Sequence, residues 1–130
     1  MSIEIGLKGR SETVVTEQNT ANAIGSGLVP VFATPYMVAL MENASANSLL
    51  PYLAEDEGTV GTQLNVAHSS ATPIGMKVWA ESTVTAVEGK KITFDVVAYD
   101  EAGEIGRGTH ERFIIKPERF LAKTQAKLEQ

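Results

Sequence analysis

Glu42 is the residue whose presence most needs a chemical explanation. It is the only Asp, Glu, Lys or Arg between Gln18 and Ala54, and no Lys or Arg occurs from Ser11 to Met76. Around it, Tyr36, Met37, Val38, Leu40, Met41, Ala44, Ala46, Leu49 and Leu50 spread apolar surface nearly all round a helical cylinder, the pattern of a buried helix. At about 100° per residue, Val38, Ser45, Ala46 and Leu49 share the Glu42 face. A carboxylate there, with no local cation, is costly unless it is hydrogen-bonded or functional. The plainer alternative is a roll of the helix that turns Glu42 to an exposed seam.

His68 is the second anomaly. It shares strand parity with Val60, Leu64 and Val66, so an imidazole falls on a face otherwise apolar and hydroxylic (Thr62, Ser70). A core histidine satisfied by a backbone carbonyl would also account for it. Thr34 precedes Pro35, which reads as a capping hydroxyl ahead of a proline at the first helical position. The same place would set that hydroxyl where the helix dipole and free N–H groups favour a developing oxyanion. If the His68 strand packs beside this helix, or beside a partner's copy of it, Glu42 could orient His68 while Thr34 acts as nucleophile or positions water. A hydroxyl, a general base and its orienter are what acyl transfer needs. Spacing alone does not establish the set, and capping and catalysis are compatible roles for Thr34. His110 shares parity with Arg112 and Ile114 and reads as a surface-strand histidine, and an exposed salt bridge is the simple account of Arg112.

Composition narrows the chemistry. There is no cysteine, which removes disulfides, thiolate catalysis and Cys-based zinc sites, and two scattered histidines make a poor metal cage. No metal or other cofactor is expected. A net charge of −5 gives no footprint for a phosphate backbone, so nucleic acid is not an expected partner. The first ten residues hold no apolar signal region, and the longest apolar run, Gly27 to Met41, is broken by Pro30, Thr34 and Pro35. No membrane association is expected, and the cytoplasm is the default location. With 130 residues, 43% hydrophobic and 21% charged, residues 1–130 read as a single globular domain.

The elements that must position these residues follow in order. Ser11 to Glu17 reads as a strand, Gln18 to Gly27 as a polar loop, and Pro35 to about Leu50 as the helix, ended by Pro51. Four further strands are predicted at Thr59–Ala71, Gly75–Val87, Ile92–Asp100 and Ile105–Lys116, with turn signals between them at Thr72-Pro73, Glu88-Gly89-Lys90 and Glu101-Ala102-Gly103. Pro117 then opens a short charged surface helix. One strand, a buried helix and a four-strand meander predict an α+β fold: a curved antiparallel sheet wrapped around a long central helix, the hotdog arrangement. Such a sheet leaves an edge open, a need met by dimerisation.

The run Val31-Phe32-Ala33-Thr34-Pro35, then Glu42, Pro51-Tyr52-Leu53, Glu57-Gly58-Thr59-Val60-Gly61-Thr62, Val66-Ala67-His68 and Ala71-Thr72-Pro73-Ile74-Gly75 resembles the fluoroacetyl-CoA thioesterase-like family of hotdog thioesterases. The likeness is densest from Val29 to Gly75. It implies a catalytic set of Thr34, Glu42 and His68, with Gly61 and Arg112 at the acyl and thioester site. It also implies a homodimer whose site lies near the subunit interface and takes the pantetheine arm of coenzyme A. One departure stands out: where the fluoroacetyl-specific enzyme has a phenylalanine-bearing lid, this chain has Ile24-Gly25-Ser26-Gly27-Leu28. The expected activity is hydrolysis of an acyl-CoA thioester, water or Thr34 attacking with His68 as base, and N–H groups at the helix start and Gly61 holding the oxyanion. A hotdog dehydratase or hydratase, or a non-catalytic acyl-CoA-binding module, are the alternatives.

Overall fold

The computed structural model describes residues 2–129. Strands β1 (Lys8–Val14), β2 (Gly58–His68), β3 (Lys77–Glu88), β4 (Lys91–Asp100) and β5 (Gly103–Ile115) are joined by helices α1 (Ala21–Ile24), α2 (Thr34–Leu49) and α3 (Pro117–Gln125). The strands form one sheet in the order β1-β3-β4-β5-β2, every neighbouring pair antiparallel. This is the expected α+β hotdog architecture, with α2 against the inner face of the sheet.

Alternation builds that face. Val78, Ala80 and Val84 of β3 and Ile92, Phe94, Val96 and Ala98 of β4 are fully buried, and Met37, Leu40, Met41, Ala44 and Leu49 of α2 pack among them. Each large side chain so buried contributes about 1.5–3 kcal/mol. On β1, a Cβ at Gly9 would run into the Ala44 carbonyl and the Ser48 side chain, so glycine there lets the helix lie directly on the strand. The helix is not covered all round, contrary to the sequence expectation: Tyr36, Ala39, Asn43 and Asn47 are exposed, because one sheet wraps one side only. α3 buries no residue, as expected of a surface helix.

Two expectations about boundaries need correction. The first strand begins and ends earlier than Ser11–Glu17, because the Asn19 side chain accepts from the Thr16 N–H and donates to the Val14 carbonyl, folding the chain into a turn. Thr34 is not the N-cap: Ala33 is, its carbonyl accepting from the N–H groups of Tyr36 and Met37, and Thr34 is the first helical residue. Its hydroxyl is therefore free to bond elsewhere.

Asp100 ties the hairpin between β4 and β5 to the loop after β2. Its Oδ1 accepts from the N–H groups of Ala102 and Gly103 at 2.8 and 3.2 Å, and its Oδ2 accepts from the Thr72 hydroxyl at 2.7 Å. The Thr72 carbonyl in turn accepts from Phe32 N–H at 2.9 Å, fixing the approach to α2. Buried donors left without an acceptor cost about 1–3 kcal/mol. Asp100→Ala is expected to lower unfolding free energy by about 2–3 kcal/mol, and Thr72→Val by about 1 kcal/mol, both read from urea denaturation midpoints. A shift within error for Asp100→Ala would remove this residue from the framework of the site.

Candidate active site

At the start of α2, the Thr34 Oγ1 lies 2.8 Å from His68 Nδ1, so the last residue of β2 meets the first of the helix. Freed from capping, the hydroxyl points along the strand end instead. Both residues line a cavity of about 230 Å³ with Phe32, Ser26 and the Ser69–Ala71 turn. The His68 Nε2 atom is buried and has no hydrogen-bond partner among the described residues. Burial pushes the His68 pKa below its ordinary value, opposed by the Ser70 backbone. A neutral imidazole beside a hydroxyl can accept its proton. Of the first four helical positions, Pro35 has no N–H and those of Tyr36 and Met37 serve Ala33, which leaves only the Thr34 N–H for an oxyanion.

A second group of polar residues lies further along α2. The Glu42 Oε2 sits 3.7 Å from Arg112 Nη1, and Arg112 is 7% exposed. The guanidinium donates from Nε to the Thr59 hydroxyl at 2.9 Å and from Nη2 to the Thr59 carbonyl at 3.1 Å. Its Nη1 lies 3.2 Å from His110 Nε2, and His110 Nδ1 lies 2.9 Å from the Gln63 carbonyl. Gly61 makes the room: a Cβ there would stand 2.6 Å from Glu42 Oε2 and 3.1 Å from His110 Cε1. Glu42, Gly61 and His110 border a cavity of about 240 Å³.

A bulge in β2 lets both groups face the helix. The pairing with β5 sets Gly61 opposite Arg112, then shifts before Gln63, so that Leu64 faces His110 and His68 faces Gly106. The extra residue, Thr62, reverses the parity. Thr59 and Gly61 point inward before it, and Leu64, Val66 and His68 after it. Val60 and Thr62 therefore do not share the His68 face, as unbroken alternation from the sequence had implied.

The structure joins Thr34 to His68, and Glu42 to Gly61 and Arg112, as two groups. Among the described residues no hydrogen bond or ion pair links Glu42 with His68. Thr34 and Glu42 are eight positions apart on the helix, about 12 Å along its axis. Nor is His110 a surface histidine, being 1% exposed, and Arg112 is not an exposed salt bridge. Thr59, the principal acceptor for Arg112, has no role assigned to it by the sequence. The available signal was the glycine pair Gly106 and Gly108 on the parity of His110 and Arg112, marking that face of β5 as the crowded one.

Residues 15–118 match the sequence profile of the fluoroacetyl-CoA-specific thioesterase family. The chain belongs to that family. A fluoroacetyl-CoA thioesterase of Streptantibioticus cattleyicolor is 45% identical over 97 residues, covering 75% of this chain and 70% of that protein. A solved structure of a fluoroacetyl-CoA thioesterase superposes with a TM-score of 0.93 at 36% identity over 98% of both chains. A variant thioesterase in complex with fluoroacetate and CoA gives 0.86 at 36% identity, over 91% of this chain and 99% of that one. Helix α1 is capped by Gly25 in the left-handed region (φ 79°), and Leu28 beyond it is 95% exposed.

Burial lowers the pKa of both His68 and His110, in each case as the largest cause. Each group binds its proton less readily folded than unfolded, so the stability it confers is present above the ordinary value of 6.5 and lost as pH falls through the folded pKa. Thermal unfolding is expected to shift to lower temperature as pH drops below 6.5, and NMR titration should place both imidazoles below that value. A histidine titrating above it would contradict the buried setting described here.

Proposed function

We propose that this chain hydrolyses an acyl-CoA thioester through the Thr34–His68 pair, acting as a homodimer. The 2.8 Å contact between Thr34 Oγ1 and His68 Nδ1, at the edge of a cavity, carries the reading. The imidazole takes a proton from Thr34, or from a water held by it, as the oxygen attacks the thioester carbonyl. The oxyanion collapses with loss of the CoA thiolate, which recovers that proton. Where Thr34 attacks first, a water then cleaves the acyl ester with His68 again as base. The N–H of Thr34, at the positive end of α2, is placed to stabilise the oxyanion. Gly61 and Arg112 are assigned to substrate binding. That a related thioesterase has been solved with fluoroacetate and CoA supports the substrate class.

Glu42 enters through the second protomer. With the outer edge of the eleven-residue strand β2 open among the described residues, antiparallel pairing with a second copy would complete the ladder. Such pairing puts the Gly58–Gly61 end of one β2 beside the His68 end of the other. The carboxylate of one protomer then serves the imidazole of its partner, whose Nε2 has no partner in its own chain. The hydratase alternative needs a histidine with a carboxylate and no hydroxyl, whereas here the histidine bonds the hydroxyl.

Released thiol from a panel of short, branched, aromatic and long acyl-CoAs is the direct test. His68→Ala and Thr34→Ala are each expected to lower kcat by about 10²-fold or more on the best substrate. Since Thr34 caps nothing, Thr34→Ala should cost no more than about 1 kcal/mol of stability. Near-wild-type turnover in either folded variant would sink the assignment. Light scattering should give twice the chain mass, and a monomer that still turns over would remove the shared site.

A further inference from the structure

We infer that His110 is a positioning residue, which as a neutral Nδ1–H tautomer holds the Arg112 guanidinium aimed at Glu42. The inference rests on the reading of Glu42 and Arg112 as parts of the thioesterase site, and it begins from the two partners of the ring. The Gln63 carbonyl can only accept, so the Nδ1 atom 2.9 Å from it must carry a proton. A guanidinium can only donate, so the Nε2 atom 3.2 Å from Arg112 Nη1 must be bare. Two partners of opposite kind thus fix both the protonation state and the tautomer of a ring that is 1% exposed.

The consequence lies with Arg112. Thr59 takes the Nε and Nη2 protons, which fixes one side of the guanidinium fork. His110 takes the Nη1 side, and that nitrogen is also the one nearest Glu42, at 3.7 Å. The Glu42 carboxylate thereby keeps a cation beside it without a full hydrogen bond to it, and its side chain is 41% exposed toward the cavity it shares with Gly61. Among the described residues no other side chain hydrogen-bonds Nη1, so without an acceptor at Nε2 only the two Thr59 bonds would hold the guanidinium beside Glu42, and its Nη1 protons would be left without a hydrogen-bond acceptor.

Protonation would undo the arrangement, since an imidazolium would press an N–H and a positive charge against Nη1. The charged groups that act on the ring are Arg112 from its own strand, Glu42 from α2 and, from the other face of β5, the adjacent Glu111. β2 presents only the neutral Gln63 carbonyl, and β4 the Phe94 ring, stacked with centroids 5.9 Å apart. Burial and Arg112 hold the imidazole pKa down, against the opposing pull of Gln63, Glu42 and Glu111.

Two substitutions separate this role from a merely structural one. His110→Asn can keep an amide N–H for the Gln63 carbonyl but withdraws the acceptor from Arg112, whereas His110→Gln reaches the Nε2 position with a carbonyl oxygen. We expect kcat/KM on the best acyl-CoA to fall about tenfold or more in His110→Asn and to stay within about threefold of wild type in His110→Gln. The acid limb of the pH profile should lose one of two protonations in His110→Gln, its limiting slope falling from two toward one. ¹⁵N shifts of the wild-type ring at pH 7 should report the neutral Nδ1–H tautomer. Equal activities in the two folded variants, or Asn above Gln, would overturn the proposal, as would an Nε2–H tautomer or an imidazolium at pH 7. A wild type that hydrolyses no acyl-CoA would sink the thioesterase reading and this role together, whereas an active wild type with equal variants would sink this role alone.

Discussion

Helix α2 lies against the sheet with Met37, Met41, Ala44 and Leu49 fully buried, and both polar groups of the candidate site take their positions from that contact. Thr34 is the first residue of the helix and Glu42 stands midway along it. Interiors pack at close to crystalline density, so a helix seated on Gly9 and among the β3 and β4 side chains cannot slide without opening voids or clashes. The same seating that stabilises the fold therefore fixes where a hydroxyl and a carboxylate meet the sheet.

Polar groups under the helix must be satisfied in place, because a buried guanidinium without partners would cost several kcal/mol. Thr59 and His110 supply neutral acceptors to Arg112, and Glu42 supplies the opposing charge at 3.7 Å. Gly61 contributes by having no side chain: any other residue would occupy the space in which the carboxylate, the imidazole and the guanidinium converge. Burial makes this cluster directional. In a solvated setting the same four side chains would exchange partners freely and hold no particular geometry.

The helix and the β3-β4-β5 meander are legible because their signals are local: Thr34-Pro35 at the helix start, alternation along β3 and β4, turn residues between strands. The expected fourth strand of that meander, β2, instead pairs with β5 at the opposite edge, a long-range choice that no local turn signal sets. Glu42 and His68 stood out because charge is so scarce around them. What escaped notice is set by contacts distant in sequence. A threonine before a proline looks the same whether it caps the helix or bonds a histidine 34 residues away, and the contact with His68 decides it. Parity grouped His110 with Arg112, but it could not say which face of β5 the helix covers. The early end of β1 likewise follows from one side chain, Asn19, bonding back to the strand.

The bulge in β2 is what lets one strand serve both groups. Side chains alternate with a period of two, so a continuous β2 would send either Thr59 and Gly61 or Leu64, Val66 and His68 away from the helix. In the first case Arg112 would lose its Thr59 partners and a side-chain-bearing residue would enter the Glu42 cluster. In the second, the imidazole would leave Thr34. Inserting Thr62 between paired positions turns both segments inward at the cost of one locally disrupted rung of the ladder. The strand can then carry an imidazole beside Thr34 at one end and an acceptor for the buried cation at the other. In the proposed homodimer, antiparallel association of two such strands brings unlike ends together, so that the reversal of parity within one chain is what allows the two chains to complete each other's site.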